Sequence, residues 1–533
     1  MPGIQVMFTG GTSRTTKVDV KRAKRARRPG IEWLEERCVL SGLAAVPAND
    51  PELAVRLAPK SDPDGNGNVL QARVAIVGQA APGALVRLDM DGDGRFERGM
   101  RANHRGEFRF QTLLHVGRNV VQVQAKGRDG TIETAKLSAT RCDVLIDWNS
   151  TALAAVRTGN TNPPLAARNL AMVQLAVFDA VNSIDRRHEP YAGIQVRHAQ
   201  GASTEAAVAR AADEVLTALY PDQAATFHAT LAESLATVRN RRARVRGEAV
   251  GRQVGKAILA LRANDGSNVQ VDAPPATKPG EWSPTPPEYG RAVALNFAFV
   301  PPFAMTTPSQ FRPGPPPALD SATYTEAYNE VESVGSDDST TRTPDQTAFA
   351  HFWADLAGVS FTPPGHWNQI AEDAAMSRQL RLSDEAKLFA QLNVALADAG
   401  ISCWETKNFY QFWRPVTAIR QGDQDGNPLT VADPNWSPQW ETPQFSSYSS
   451  GHATFSAAAA TILESYFGAN TPFNDTGDPT LGLPGRHFDS FARAADEAAA
   501  SRMYGGIHFR FDNETGLAVG REIGRYVLQN EMK

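Results

Sequence analysis

The sequence predicts a mainly α-helical protein, a large helical bundle preceded by a small β-sandwich. Three observations point there. From Cys142 to the end, apolar residues recur at helical spacing. Between Val69 and about Thr140 they alternate in short runs broken by Pro-Gly and Asp-Gly turns. No run of about 18 or more apolar residues offers a membrane-spanning helix. The 533 residues, 42% hydrophobic and 21% charged, allow two to four domains at roughly 150 residues each, with a large buried core. The 42 glycines and 35 prolines are too few and too scattered for a fibrous or low-complexity chain. Cys38, Cys142 and Cys403 allow at most one bridge, and neither a disulfide framework nor a CxxC zinc site.

Residues 1–48 read as a basic export-type segment. The net charge of -4 hides an asymmetry. Residues 1–42 hold nine Lys/Arg against four Asp/Glu, a net of +5, so residues 43–533 carry -9. Six cations lie between Lys21 and Arg28, and Val39 to Ala48 is a short apolar stretch of small residues, as in an export signal. Glu32, Glu35 and Glu36 interrupt that pattern, and a disordered basic tail would also account for it. The LEERCVLSG string resembles a short N-terminal motif of some bacterial exported multidomain proteins, which implies a periplasmic, cell-surface or secreted location. The body has no matching nucleic-acid motif, so no nucleic-acid partner is expected.

Residues 49–68, rich in Pro, Asp, Gly and Asn, read as a linker. Strand patterns follow at Arg73 to Val77, Ala84 to Asp89, Glu107 to Gln111, Asn119 to Ala125 and Ile132 to Ala139. Five or so short strands within residues 69–141 suggest a small β-sandwich. The segment resembles bacterial immunoglobulin-like modules. Asp89, Asp91 and Asp93, with Gly94, copy the first half of a calcium loop, although Met100 stands where its bidentate Glu belongs. An Asp/Gly-rich hairpin turn explains the same residues without calcium.

Residues 142–533 read as an α-helical domain of about ten or more helices. Leu165 to Asn182, with Pro163-Pro164 at its start, suits a buried helix, and Thr204 to Tyr220 and Ala243 to Arg262 suit amphipathic ones. The prolines of residues 273–319 demand an irregular excursion. Thr343-Pro344 caps a helix, Ser383 to Ile401 forms another with Gly400 near its end, and Ala453 to Phe467 and Asn513 to Glu531 complete the set.

Three late segments concentrate anion-binding groups. Lys407 and Arg414 are seven apart, two helical turns, so both side chains leave the same face. Ser450 and Gly451 precede a helix start, where unpaired N–H groups and the positive dipole end attract anions. Arg502 and His508 flank Gly505-Gly506, and Asp512, four beyond His508, could accept from an imidazole N–H and fix its tautomer. With His452, this makes three cations, a hydroxyl, backbone amides and two histidines, the inventory a tetrahedral or trigonal-bipyramidal oxyanion requires. Each group alone is ordinary: a capped helix, a solvated cation, a half-buried histidine. Their joint order is what carries chemistry.

These segments resemble the motifs K-x6-R-P, P-S-G-H and S-R-x3-G-x-H-x3-D of the vanadium-dependent haloperoxidase and type 2 phosphatidic acid phosphatase superfamily. Ser449 replaces the proline of the second motif. The strings DWNSTALAAVR, AARNLAMVQLAVFDAVN, RTPDQTAFAHFW and PPGHWNQIA resemble the haloperoxidase scaffold, so the likeness spans residues 142–533. It implies vanadate as cofactor, with hydrogen peroxide, halide and a small organic acceptor as substrates. It further implies that His508 ligates vanadium while Lys407, Arg414, Arg502, Ser450 and Gly451 bind the vanadate oxygens. His452 would serve as acid–base residue, Lys407 would assist catalysis, and Asp512 would support His508. Trp404 and Phe445 match aromatic residues lining the halide site of chloroperoxidase-type members, although both could simply be core. The same pocket could hydrolyse phosphate monoesters, with His508 as nucleophile and His452 as acid.

Overall fold

A computed structural model describes residues 53–533 except 63–66, 71–72, 91–93, 116, 192, 195, 197–198 and 479. The basic segment 1–48 and the candidate calcium ligands Asp91 and Asp93 lie outside the described residues. Among the described residues, no cluster of metal-ligating side chains occurs, and nothing supports calcium at Asp89.

Eight strands precede the helices: β1 (Ala54–Leu57), β2 (Asn68–Val69), β3 (Arg73–Gln79), β4 (Leu85–Asp89), β5 (Arg98–Arg101), β6 (Glu107–Leu113), β7 (Gly117–Lys126) and β8 (Ile132–Arg141). They form one sheet ordered β1-β3-β6 and a second ordered β2-β8-β7-β4-β5. All pairings are antiparallel except β2 with β8, and β3 meets β6 in a register opposing Ile76 to Phe110. Alternation decides the faces. In β6, Phe108, Phe110 and Thr112 point inward while Glu107, Arg109 and Gln111 face water. Val74 and Ile76 from one sheet and Val86, Leu88, Val121 and Val123 from the other share a single apolar core. The segment expected to be linker contributes β1, which pairs with β3 from Ala54 to Leu57. Its alternating Ala-Val-Arg-Leu is too short to stand out among the neighbouring Pro and Asp residues.

Thirteen α-helices follow among the described residues: α1 (Val144–Thr158), α2 (Pro163–Asp185), α3 (Thr204–Leu219), α4 (Ala224–Thr237), α5 (Arg241–Leu261), α6 (Ala322–Gly335), α7 (Pro344–Phe352), α8 (Thr362–Arg378), α9 (Leu382–Tyr410), α10 (Pro415–Arg420), α11 (Gly451–Phe467), α12 (Phe491–Tyr504) and α13 (Arg510–Asn530). None is long and apolar enough to cross a membrane. Caps fix their starts: Asp143 accepts from Leu145 and Ile146 N–H, and Thr343 with Gln346 makes a capping box at α7.

The 29-residue α9 is the axis of the domain, buried along most of its length and packed by α2, α11 and α13. It runs nine residues past the expected end at Ile401. Gly400 does not stop it. A Cβ there would lie 3.1 Å from the Phe455 ring, so this glycine serves close approach of α11. Gly520 seats α13 on α11 in the same way, since a Cβ would come within 2.3 Å of the Thr454 carbonyl. That packing brings together the N-terminal ends of two helices. Ser450, the N-cap of α11, donates its backbone N–H to the Asp512 carbonyl in the first turn of α13 at 3.0 Å.

The proline-rich excursion contains one 3-10 turn (Leu295–Phe299) and is tied to α9 along its length. Asp398 accepts three successive backbone N–H groups, Phe303, Ala304 and Met305, at 2.6, 2.8 and 2.7 Å. Trp404 Nε1 donates to the Val293 carbonyl, and Arg312 pairs with Glu405. Cys142 and Cys403 are buried free thiols and do not pair.

Candidate active site

The three anion-binding segments converge where α9 ends and α11 begins. Lys407 occupies the last turn of α9, which Gln411 closes in the left-handed conformation at φ 50°. Arg414 therefore does not leave the same helical face. It is the N-cap of α10, and the turn, not a continuing helix, carries it into the pocket. The expected contact of Asp512 with His508 is made across a helix start and not within one helical turn. His508 precedes α13, and Asp512 lies in that helix's first turn. Asp512 accepts from Phe509 N–H at 3.1 Å and from His508 Nδ1 at 2.9 Å. Gly506, at φ +75°, makes the bend between Arg502 and His508.

Lys407 and Arg414 expose no surface, and Arg502, His508 and Asp512 are almost as deeply buried. Lys407 Nζ donates to the Ser446 and Ser447 carbonyls at 2.7 and 2.9 Å. Arg414 donates through Nε to the Phe445 carbonyl at 2.7 Å, and through Nη1 to the Ile507 carbonyl at 2.7 Å and to His508 Nε2 at 3.0 Å. Arg502 Nη1 donates to the Trp353 carbonyl at 3.1 Å. Burial pushes all three cations towards neutrality, Lys407 to about 7. The guanidinium groups stay charged.

Both histidines are neutral. Burial, followed by the neighbouring cations, holds His508 and His452 well below the ordinary imidazole range. A carboxylate can only accept, so Asp512 fixes the His508 proton on Nδ1 and leaves the Nε2 lone pair facing the arginines. Burial raises the Asp512 carboxyl, while Ser447, whose hydroxyl donates to it, and Lys407 act in the opposite direction.

Several buried polar atoms here have no partner: Arg414 Nη2, Arg502 Nε, Ser450 Oγ and His452 Nε2. Buried donors left unmade are costly. Three such donors on converging residues, with the His452 nitrogen beside them and three cations around them, describe a receptor for an oxyanion. Vanadate fits this donor set, and His508 Nε2, whose lone pair accepts from Arg414 Nη1 here, is the nitrogen that would ligate the metal centre.

Trp404 and Phe445 stand together, ring centroids 5.1 Å apart. Lys407 Nζ lies 5.0 Å from the Phe445 ring centre and Arg414 Cζ lies 4.8 Å from it. An aromatic wall thus abuts the cations. Gly451 begins α11 with room for a Cβ, whose nearest neighbour would be Trp404 at 3.5 Å, so no protein atom demands glycine there. Ser449 follows a cis peptide bond from Tyr448, and its carbonyl faces Cys403 Sγ at 3.4 Å.

Sequence reasoning missed two contributors to the pocket, Ser447 and Trp353, and one buried triad next to it. Ser447 was hidden among four serines of the SSYSS run. Trp353 offers only its carbonyl, which no side-chain pattern reveals. His366, Asp355 and Asp475 form a buried triad beside that carbonyl. Its members lie far apart in sequence, and PPGHWNQIA reads there simply as scaffold.

Comparison with known proteins finds relatives of this chain among vanadium-dependent haloperoxidases. Residues 387–533 match the family model described as the VCPO second helical-bundle domain. The vanadium chloroperoxidase of Curvularia inaequalis is 27% identical over 486 residues, covering 69% of this chain and 78% of that protein. A bacterial vanadium-dependent iodoperoxidase structure aligns with a TM-score of 0.65 and 30% identity, covering 73% of this chain and 97% of that one. A holo-type bacterial vanadium-dependent chloroperoxidase shares the fold, with a TM-score of 0.54 at 18% identity over 69% of this chain and 92% of the other.

Proposed function

The chain belongs to the vanadium-dependent haloperoxidase family, and from that premise we propose that it binds vanadate and oxidises halide with hydrogen peroxide to hypohalous acid. The observation that carries the reading is the set of unpartnered buried atoms on Arg414, Arg502, Ser450 and His452 around the His508 lone pair. When bound, vanadate supplies Lewis-acid activation of peroxide at a constant oxidation state.

The residues divide the remaining work. His508 ligates through Nε2, oriented by Asp512 and Ser447. Lys407, Arg414 and Arg502 neutralise the oxyanion, and Ser450 Oγ and the Gly451 N–H at the start of α11 add donors. His452 is neutral until it takes the proton of incoming peroxide at its free Nε2. Lys407 would also hold positive charge beside the oxyanion where negative charge develops. Trp404 and Phe445 form an apolar wall from which a weakly hydrated halide displaces water. Phe445→His, by adding a titratable donor, lowers chloride oxidation more than bromide oxidation. An unchanged chloride-to-bromide ratio removes Phe445 from the halide site.

The test is a paired assay of purified apo-protein with and without orthovanadate, for peroxide-dependent halogenation of a small organic acceptor and for phosphate-ester hydrolysis. Halogenation should appear only with vanadate and fall with excess phosphate. Full activity after vanadium removal, or activity that tracks iron, overturns the reading. We further read the two-sheet region as an immunoglobulin-like β-sandwich serving as a spacer, and residues 1–48 as an export segment. Cell fractionation of the chain with and without residues 1–48 tests the latter.

A further inference from the structure

A second charged cluster lies one layer behind Arg502, and the proposed chemistry does not use it. His366, on α8, is buried between two carboxylates. Its Nδ1 lies 3.1 and 3.2 Å from the two oxygens of Asp355, and its Nε2 lies 3.0 Å from Asp475 Oδ2. The side chains of His366, Asp355 and Asp475 expose 2%, 7% and 1% of their surface. The His366 ring stacks on Trp353, centroids 4.5 Å apart at 29°. Trp353 is the residue whose carbonyl receives Arg502 Nη1. Asp355 is also the carboxylate whose charge acts on Arg502, yet among the described residues no hydrogen bond or contact ion pair joins them.

We propose that His366 is a positioning residue that withholds Asp355 from Arg502, leaving the guanidinium free to face the oxyanion. The argument follows from competition. Two carboxylates at the two ring nitrogens require both N–H donors, so His366 is the imidazolium; burial opposes that form, and the charges and hydrogen bonds of Asp355 and Asp475 outweigh it. It engages both oxygens of Asp355, and Asp475 and the Trp353 stack prevent the ring from turning away. An apolar side chain in its place would strand two buried carboxylates, and the one whose charge reaches a cation is Asp355, beside Arg502, whose Nε has no partner among the described residues. The resulting ion pair would consume the charge and the donors on which the pocket depends.

This inference rests on the vanadate-site reading, so the control is the wild-type full chain titrated with orthovanadate by calorimetry. His366→Phe keeps the ring against Trp353 and should weaken orthovanadate binding about 10–100-fold, the usual cost of disturbing an outer support of a metal site. Asp355→Asn should stay within about threefold of wild type. The double variant His366→Phe/Asp355→Asn should recover to that same level, a rescue that general structural damage would not give. Wild-type affinity in His366→Phe overturns the proposal, as does a double variant as weak as His366→Phe. Should His366→Phe fail to fold, Asp355→Asn decides alone. A loss of about tenfold or more makes Asp355 a support of Arg502 and overturns the proposal, whereas unchanged affinity upholds it. A wild-type chain that binds no orthovanadate overturns the site reading and this inference with it.

Discussion

Two pairs of buried arginines sit in one fold under opposite arrangements. Arg168 and Arg262 share Asp265, at 2.7 and 3.0 Å. Their remaining groups donate to Asn169 and to the carbonyls of residues 262, 301 and 302, and Arg262 lies 4.0 Å over the Phe303 ring. Arg414 and Arg502 are buried as deeply, but among the described residues neither has a carboxylate in contact, and each leaves one nitrogen without a partner. A buried charge with its counter-ion fastens the scaffold. A buried charge without one is held ready by the scaffold for an anion from outside.

If that distinction is right, the pocket should govern function and the Asp265 node should govern stability. The largest separation is expected at His452→Ala, which should cut turnover about 10²–10⁴-fold while leaving orthovanadate affinity nearly intact. His508→Ala should instead abolish tight binding. Calorimetry alongside steady-state kinetics tells them apart, and equal losses of affinity would remove the assigned roles. Next comes Asp265→Ala, which strands two guanidinium groups and should destabilise the fold by about 3–5 kcal/mol in urea denaturation. A cost below about 1 kcal/mol would break the comparison at the scaffold end. Arg414→Met is the counterpart. It should weaken orthovanadate by about 1.5–3 kcal/mol, roughly 10–100-fold, with apo-protein stability unchanged or raised. A Met variant that melts lower than wild type would break it at the pocket end.

The smallest effect is a pH dependence. Burial lowers Lys407 from 10.5 to about 7, so between about pH 7 and pH 10.5 the unfolded chain holds a proton that the folded chain has released. Folded-state stability therefore rises with pH across that window. Lys407→Met removes this contribution, so its stability advantage over wild-type apo-protein should be greatest near pH 7 and shrink towards pH 10. A constant difference would mean that Lys407 keeps its proton in the fold.

The comparison also explains what could be read from the sequence. The pocket was legible because its groups come in three short strings whose spacings are set by local turns: Arg502 and His508 about Gly506, Ser450 and Gly451 at a helix start. Inferred geometry fared less well. The seven-residue step from Lys407 to Arg414 suggested one helical face, whereas a left-handed Gln411 ends the helix between them. Gly400 read as a stop because glycine often ends helices, and the pressure of Phe455 against it is a tertiary fact. The helices α2, α3, α5, α11 and α13 emerged within a few residues of expectation, since their apolar periodicity is long. The Asp265 node and the His366 triad could not be seen. Asp265 meets Arg168 across 97 residues and Asp475 meets His366 across 109, separations that carry no periodic signal.

The proline-rich excursion has a consequence in time rather than in space. Irregular chain ordinarily opens on its own, and its amides trade hydrogen with water quickly. At residues 303–305 the amides are clasped by Asp398, which is anchored in the middle of the buried α9, and the Tyr191 hydroxyl holds the Phe303 carbonyl at 2.9 Å. Release of those amides requires the aspartate to lose all three donors inside the domain. Their exchange should thus keep the slow clock of the central helix, so that this irregular stretch opens with the core and not with the surface loops.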